Sequence, residues 1–227
     1  MQARGYVIAA TGLAAEARLA ASAENVVAVA SGANETRLAD LIEQALSDGA
    51  RGIISFGIAG GLDPALPSGA VVIGTSVYAG ARHVPADAAW TAQLRRSLPD
   101  AHAGQVAGCS TVIADPATKA EVFRATGAIA ADMESHVVAR IAEERELPFA
   151  VLRVIADAAN QGLPPAAING LKPDGQPDTF GVLKSLAADP AQLVALIRTG
   201  LAARRAMSGL LRCHRLLGPG LGYTDLG

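Results

Sequence analysis

Short apolar, β-branched runs separated by helical patterns constrain this chain more than any other feature. YVIAA, NVVAVA, RGIISFG, AVVIGTSVY and FAVLRVIAD are five to nine residues long and bounded by Gly, Pro or polar residues. Runs of that length and composition suit buried strands, where β-branched side chains pack on a pleated surface. Between them, Asn34 to Ser47 places Leu38, Leu41, Ile42, Ala45 and Leu46 on one helical face. Pro116 to Ala125 and Ser135 to Glu146 also read as helices, the second stopped by Leu147-Pro148. Strands alternating with helices predict an α/β fold of three αβα layers around a central mixed, mostly parallel twisted sheet.

The chain has enough material for one such unit. It is 227 residues long and 51% hydrophobic, with aromatics at only 4%, so a large core must be filled by small and branched side chains. We expect residues 1–227 to form a single domain, with 164–227 a loop plus a C-terminal helical appendage. The proline-rich segment LPPAAINGLKPDGQPD reads as an extended loop or lid. The helical pattern after Pro190 sets Arg198, Arg204, Arg205, Arg212 and Arg215 against Leu193, Leu196, Met207, Leu210 and Leu211.

Charge and cysteine usage exclude several classes. A net charge of -2 gives no global basic field for nucleic acid. Cys109 and Cys213 are far apart and lack Cys/His spacing, which disfavours a disulfide framework or a metal site and suits a reducing cytosol. YVIAATGLAA reads as a first strand rather than a leader, because Thr11 and Gly12 break it and Glu16 and Arg18 follow. No apolar run reaches the roughly 20 residues that span a bilayer, so a soluble protein is expected.

In open α/β sheets ligands sit at the carboxyl ends of strands, so the polar residues delivered there are the candidates. The first strand ends near Thr11-Gly12 with Glu16 one turn onward, and the third ends in GIAGG, Gly57 to Gly61. GAIAADME delivers Asp132, Met133 and Glu134 just ahead of a helix, and FAVLRVIAD ends at Asp157 with Arg153 inside it. Acidic side chains and an arginine gathered at equivalent places argue for a site. GIAGG is not G-x-G-x-x-G, and Pro64 and Pro67 delay any helix after it, which disfavours a dinucleotide site. The four histidines, His83, His102, His136 and His214, are scattered and read as surface residues.

These residues, in this order, resemble the nucleoside phosphorylase and nucleosidase superfamily. VIAATGLAAEA, FGIAGGLDPALPSGAVV, AADMESHVVARIAEERELPF and AVLRVIADAA carry the likeness, which is similar in outline to methylthioadenosine/S-adenosylhomocysteine nucleosidases. The resemblance implies cleavage of an N-glycosidic bond without cofactor or metal. It implies Asp157 as a general acid toward N7 of the departing purine, and Glu16, with Arg153, as the group positioning the nucleophile. It further implies Glu134 as the acceptor of ribose hydroxyls, Met133 as a wall against the sugar, and Gly60 and Ile113 as backbone contacts to ribose and base. The chemistry suits these types, since positive charge grows on the sugar as the bond breaks and the purine leaves well only when protonated.

Departures refine the expectation. Ser55 and Ile58 stand where phosphorylases carry phosphate-binding residues, and a Gly-Asp-Pro-x-Arg loop is missing after the first strand, which favours water as nucleophile. Ile58, Ala156 and Val112 also replace two serines and an aromatic of the nucleosidases. DMES, LPPAA after Asp157 and the basic tail resemble the hopanoid-associated phosphorylase group, which implies adenine removal from a lipid-linked nucleoside, adenosylhopane. A soluble methylthioadenosine/S-adenosylhomocysteine or futalosine nucleosidase, and a nucleoside-binding module without catalysis, are the competing expectations. From Ala191 onward five arginines face one aspartate, a local charge of +4, so a basic amphipathic helix peripheral to an anionic membrane is also expected. Relatives' assembly implies a homodimer.

Overall fold

The computed structural model describes residues 5–32, 34–46, 49–168, 170, 176 and 178–225. Eight strands form one mixed sheet: β1 Tyr6–Thr11, β2 Val26–Ala30, β3 Ala50–Gly61, β4 Val71–Ala79, β5 Arg82–Pro85, β6 His102–Gly108, β7 Ala130–Asp132 and β8 Phe149–Asp157. The helices are α1 Ala14–Ala20, α2 Glu35–Ala45, α3 Ala88–Ser97, α4 Pro116–Thr126, α5 Ser135–Glu144, α6 Pro165–Ile168, α7 Thr179–Ala188 and α8 Leu193–Leu217.

The expected α/β class, with a central sheet between helices, is what the chain adopts. Alternate residues of the buried strands feed opposite faces, which is why those strands read as continuous apolar runs. Ile8, Ala10, Ile53 and Val151 pack with Leu38 and Ile42 of α2 and with Val137, Val138 and Ile141 of α5. Val7, Ala9, Ile54, Phe56 and Leu152 pack on the other face with Trp90 and Leu94 of α3 and with Ala206, Leu210, Cys213 and Leu217 of α8.

The sheet is not a simple open fan. β1 pairs in parallel with β2 and β3, β3 with β8, and β4 and β7 each with β6. Antiparallel pairs join β3 to β7, β4 to β5 and β4 to β8. Strands β3, β8, β4, β6 and β7 therefore close a ring. The last residues of the long β3, Gly60 and Gly61, turn to pair with Ala131 and Ala130. That closure brings the ends of β3, β7 and β8 together.

Three strands and four helices differ from the sequence reading. β6, HAGQVAG, carries one β-branched residue and no alternation, so only its neighbours β4 and β7 make it a strand. The four-residue β5 and three-residue β7 are likewise set by pairing. Helices α1, α3, α6 and α7 complete the set; α3 is capped by Asp87, whose carboxylate accepts from the Trp90 N–H at 2.7 Å. Within the proline-rich segment, Pro165–Ile168 is helical, whereas residues 169, 171–175 and 177 lie outside the described residues.

The C-terminal helix packs on the sheet. Its core face joins the small residues Ala202, Ala206, Gly209 and Cys213, which let the helix lie close to β8, to Leu210 and Leu217. Leu193 and Leu211, expected on that face, are exposed. Beyond it, the Trp90 indole N–H donates to the Leu221 carbonyl at 3.2 Å, fixing the chain end against α3. Among the described residues no single helix is long and apolar enough to cross a membrane.

Candidate active site

One cavity lies where β1, β3, β6, β7 and β8 end. Gly12, Leu13 and Glu16 form one wall, Ile58 to Gly60 the floor, and Met133 and Glu134 a second wall. Cys109 and Thr111 to Ile113 from the β6–α4 loop, Lys119 from α4, and Asp157 with Leu163 close the rest. Six of the seven expected site residues line it: Asp157, Glu16, Met133, Glu134, Gly60 and Ile113. The seventh, Arg153, is fully buried behind the carboxylates and does not reach the cavity wall. No histidine is among the lining residues.

Arg153 organises the acids. Its Nε lies 2.7 Å from Asp132 Oδ2, and its Nη2 donates to Glu134 Oε2 at 3.1 Å and to Ser55 Oγ. The Ser55 and Ser135 hydroxyls are 2.9 Å apart, and Ser135 donates to Asp132 Oδ2. The only proton order that satisfies this chain has Ser55 accept from Arg153 and donate to Ser135. Gly57 faces Arg153 across the β3–β8 pair; a Cβ there would sit 2.7 Å from Nη1 and 2.8 Å from Glu16 Oε1. The glycine makes room for the charges themselves rather than for a ligand.

Asp132 has a structural role that the sequence left open. Its Oδ1 accepts from the backbone N–H groups of Glu134 at 3.1 Å and Ser135 at 2.8 Å, so it caps the start of α5 while Oδ2 pairs with Arg153. It thereby sets the backbone on which Glu134 stands. Burial raises the Glu134 carboxyl to about 7, with Arg153 pulling it down and Asp132 and Glu16 pushing it up. Glu134 Oε2 is committed to Arg153, while Oε1 lies over Gly12, where a Cβ would come within 2.6 Å of it.

Glu16 stands in the first turn of α1. Oε2 accepts from the N–H groups of Gly12 at 3.1 Å and Leu13 at 2.8 Å, and Oε1 accepts from the Ile58 N–H at 2.8 Å. Burial raises its pKa, opposed by Arg153 and by these three backbone donors. Oε2 is filled by its two donors, whereas Oε1 retains a lone pair for a further one. A carboxylate fixed by three N–H groups and facing a cavity can orient a water molecule and take its proton.

Asp157 ends β8 beside Gly60, where a Cβ would lie 3.3 Å from Oδ2. Burial raises its carboxyl, and Lys119 opposes that rise. Lys119 was missed in the sequence. It is 1% exposed, and its Nζ donates to Asp157 Oδ2, to the Ala158 carbonyl at 3.0 Å and to the Gln161 carbonyl at 2.8 Å. The available signal was helical spacing, which puts Lys119 on the same face of α4 as the partly buried Val122 and Phe123.

The electrostatics disfavour an anionic nucleophile. Around the Glu16 side stand Glu16, Asp132 and Glu134 against the single Arg153, whose guanidinium is already engaged. Ser55, a candidate phosphate ligand by position, is fully buried in that chain of hydrogen bonds. Cys109 meets the cavity as a neutral thiol, because burial and Asp132 push it to about 11.

Comparison with known proteins follows the geometry. A model of the phosphorylase superfamily matches residues 11–179. No curated protein matches the chain in sequence. Among solved structures, the 5′-methylthioadenosine/S-adenosylhomocysteine nucleosidase of S. pneumoniae, in complex with the transition-state inhibitor MT-ImmA, superposes with a TM-score of 0.65 at 19% identity. That match covers 93% of this chain and 99% of that one. The S-adenosylhomocysteine nucleosidase of Streptococcus pyogenes, bound to 5-methylthiotubericidin, gives 0.64 at 17% identity over 93% and 96%. The corresponding Helicobacter pylori nucleosidase gives 0.62 at 13% over 92% and 99%. At these identities the likeness is one of fold.

Proposed function

The chain belongs to the phosphorylase superfamily, and we propose that it hydrolyses the N-glycosidic bond of an adenine nucleoside. The observation that carries this reading is the gathering of three carboxyls, Asp157, Glu134 and Glu16, on the wall of one cavity. Asp157 protonates N7 of the purine. Glu134 Oε1 accepts from the ribose hydroxyls with Met133 against the sugar, and Gly60 and Ile113 flank ribose and base. Glu16 directs water at the anomeric carbon, and Arg153 acts from behind by holding Glu134 and Asp132 in place. Developing positive charge on the sugar is stabilised by the carboxylates, as in glycoside hydrolysis.

The test follows free adenine from methylthioadenosine, S-adenosylhomocysteine and adenosine derivatives carrying apolar 5′ substituents, with and without phosphate. Release independent of phosphate is expected. A strict phosphate requirement would make the reaction a phosphorolysis.

A lipid-linked substrate is part of this proposal, supported by exposed apolar side chains in the segment that follows the cavity-lining Leu163. Ile168, five residues beyond the cavity-lining Leu163, is exposed, as are Phe180 and Leu183 of α7. Leu193, Val194, Ile197 and Leu201 are exposed along one face of α8, which then turns to Arg204, Arg205, Arg212 and Arg215. α8 contains no acidic residue. An aliphatic stripe flanked by arginines fits the boundary of an anionic bilayer. Co-sedimentation with anionic liposomes is expected and should be lost in Ile197→Asp/Leu201→Asp. These exposed positions are chosen because truncating α8 would remove core residues. Equal sedimentation of variant and wild type would refute the membrane contact while leaving the nucleosidase reading intact.

A further inference from the structure

The site described above has one cation on its wall, and that cation is fully committed. Lys119 reaches in from α4 and its Nζ meets three acceptors: Asp157 Oδ2, the Ala158 carbonyl and the Gln161 carbonyl. A neutral amine offers two donors and a lone pair, so one of these acceptors would face that lone pair. An ammonium satisfies all three. The group is therefore charged, and Oδ2 of Asp157 is an acceptor at all times.

We infer that Lys119 is the positioning residue of the proton-donating step, reserving Oδ1 of Asp157 as the oxygen that carries the proton and stabilising the carboxylate left behind. This rests on the reading of Asp157 as the general acid. The Oδ1 proton passes to N7 of the purine while the C1′–N9 electron pair withdraws into the base. Water adds to C1′ and loses a proton to Glu16; Glu16 releases that proton to solvent, and Asp157 takes one back from solvent. The ammonium interacts more strongly with the carboxylate that forms than with the neutral acid, so it favours the transition state over the ground state.

Two opposing pulls on Asp157 make this arrangement useful. Burial holds the proton on; Lys119 makes the acid strong enough to give it up. The other titratable groups on the cavity are Glu16 from α1, Asp132 and Glu134 from the β7–α5 corner and Cys109 from the end of β6, with Arg153 behind the acids. None of them touches Asp157, whose only ion pair among the described residues is with Lys119.

Lys119 also ties the segment after β8 to α4, so a purely structural role must be separated from an electrostatic one. Lys119→Gln keeps an amide donor for the carbonyls and removes the charge; Lys119→Arg keeps the charge. In Lys119→Gln the alkaline limb of kcat/KM should move up by about one unit or more, since the acid is no longer opposed by a cation. The maximal rate should fall by roughly ten- to a hundredfold, a part of the full worth of general acid catalysis. Lys119→Arg should hold the limb near its wild-type position. A drop in rate with an unmoved limb, or no drop at all, would overturn the inference and leave Lys119 as a loop tie.

Two further measurements keep the outcome decisive. Adding Lys119→Gln to Asp157→Asn should cost little more, because the two act as a unit. Full activity in Asp157→Asn would instead defeat the general-acid reading itself. If neither lysine variant folds, nitrogen-detected NMR of the wild-type enzyme decides: the Lys119 Nζ signal should be that of an ammonium, and a neutral amine would overturn the inference.

Discussion

Asp157→Asn is expected to lower kcat by roughly a hundred- to ten-thousandfold while leaving nucleoside affinity within a fewfold of wild type, the range typical of losing a general acid. The change is isosteric, and the site dictates how the amide sits. Lys119 donates toward Oδ2, so the amide oxygen takes that place and the NH2 turns toward the purine. The base is still recognised by a hydrogen bond, yet no proton can be passed to it. Single-turnover adenine release and calorimetric binding of a non-hydrolysable nucleoside separate the two effects. Turnover within a fewfold of wild type would remove Asp157 as the acid.

The pH profile carries the same logic. Glu134, held at about 7, must be ionised to accept from ribose hydroxyls, so KM should fall as pH rises through that value. Asp157 must keep its proton, so kcat should decline on the alkaline side. The result is a bell in kcat/KM, with Glu134 on its acidic limb and Asp157 on its alkaline one. Asp157→Asn should erase the alkaline limb and keep the acidic one.

Arg153→Met should be the most damaging change to stability, costing about 3–5 kcal/mol, because removing one partner leaves buried charges uncompensated. Arg153 is fully buried, and its guanidinium is the shared counter-ion of Asp132 and Glu134 with Glu16 nearby. The sign with pH is fixed by linkage. Without the guanidinium the folded-state pKa values of Glu134 and Glu16, already raised by burial, rise further, so the folded chain binds more protons than the unfolded one. Stability of the variant then falls as pH rises. Urea unfolding at pH 5.5 and pH 8 should show the larger deficit at pH 8; equal deficits would mean that lost packing, not charge, accounts for the effect.

Much of the fold was legible because buried strands in this chain are apolar on both faces. β1, β2, β3, β4 and β8 were read within a few residues of their ends, and α2, α4 and α5 have the expected starts, with Asn34 and Asp115 as side-chain caps. β5, β6 and β7 were not legible. HAGQVAG has little intrinsic strand preference, and three-residue β7 exists only because β3 and β6 flank it. The amphipathic reading of α8 erred for a related reason. Small residues supply most of its core face, with Leu210 and Leu217, because the helix lies close to the sheet, and Leu193, Val194, Ile197, Leu201 and Leu211 are left outside.

The sequence by itself determined the layer architecture and the delivery of carboxylates to strand ends, since period, length and polarity are local properties of the chain. It also put Asp157, Glu134 and Glu16 at strand ends, where the cavity lies. Only the tertiary structure decided which charges hold the others. Arg153 looks like a site residue in the linear order, but β8 is buried on both faces, and Asp132, on the cavity wall, is committed to the start of α5 and to the guanidinium. Lys119 looks like an ordinary surface lysine, yet the closure of the sheet sets α4 against the end of β8 and leaves its ammonium three acceptors. Counter-charge placement depends on contacts between residues 19 to 42 positions apart, and no local pattern encodes those.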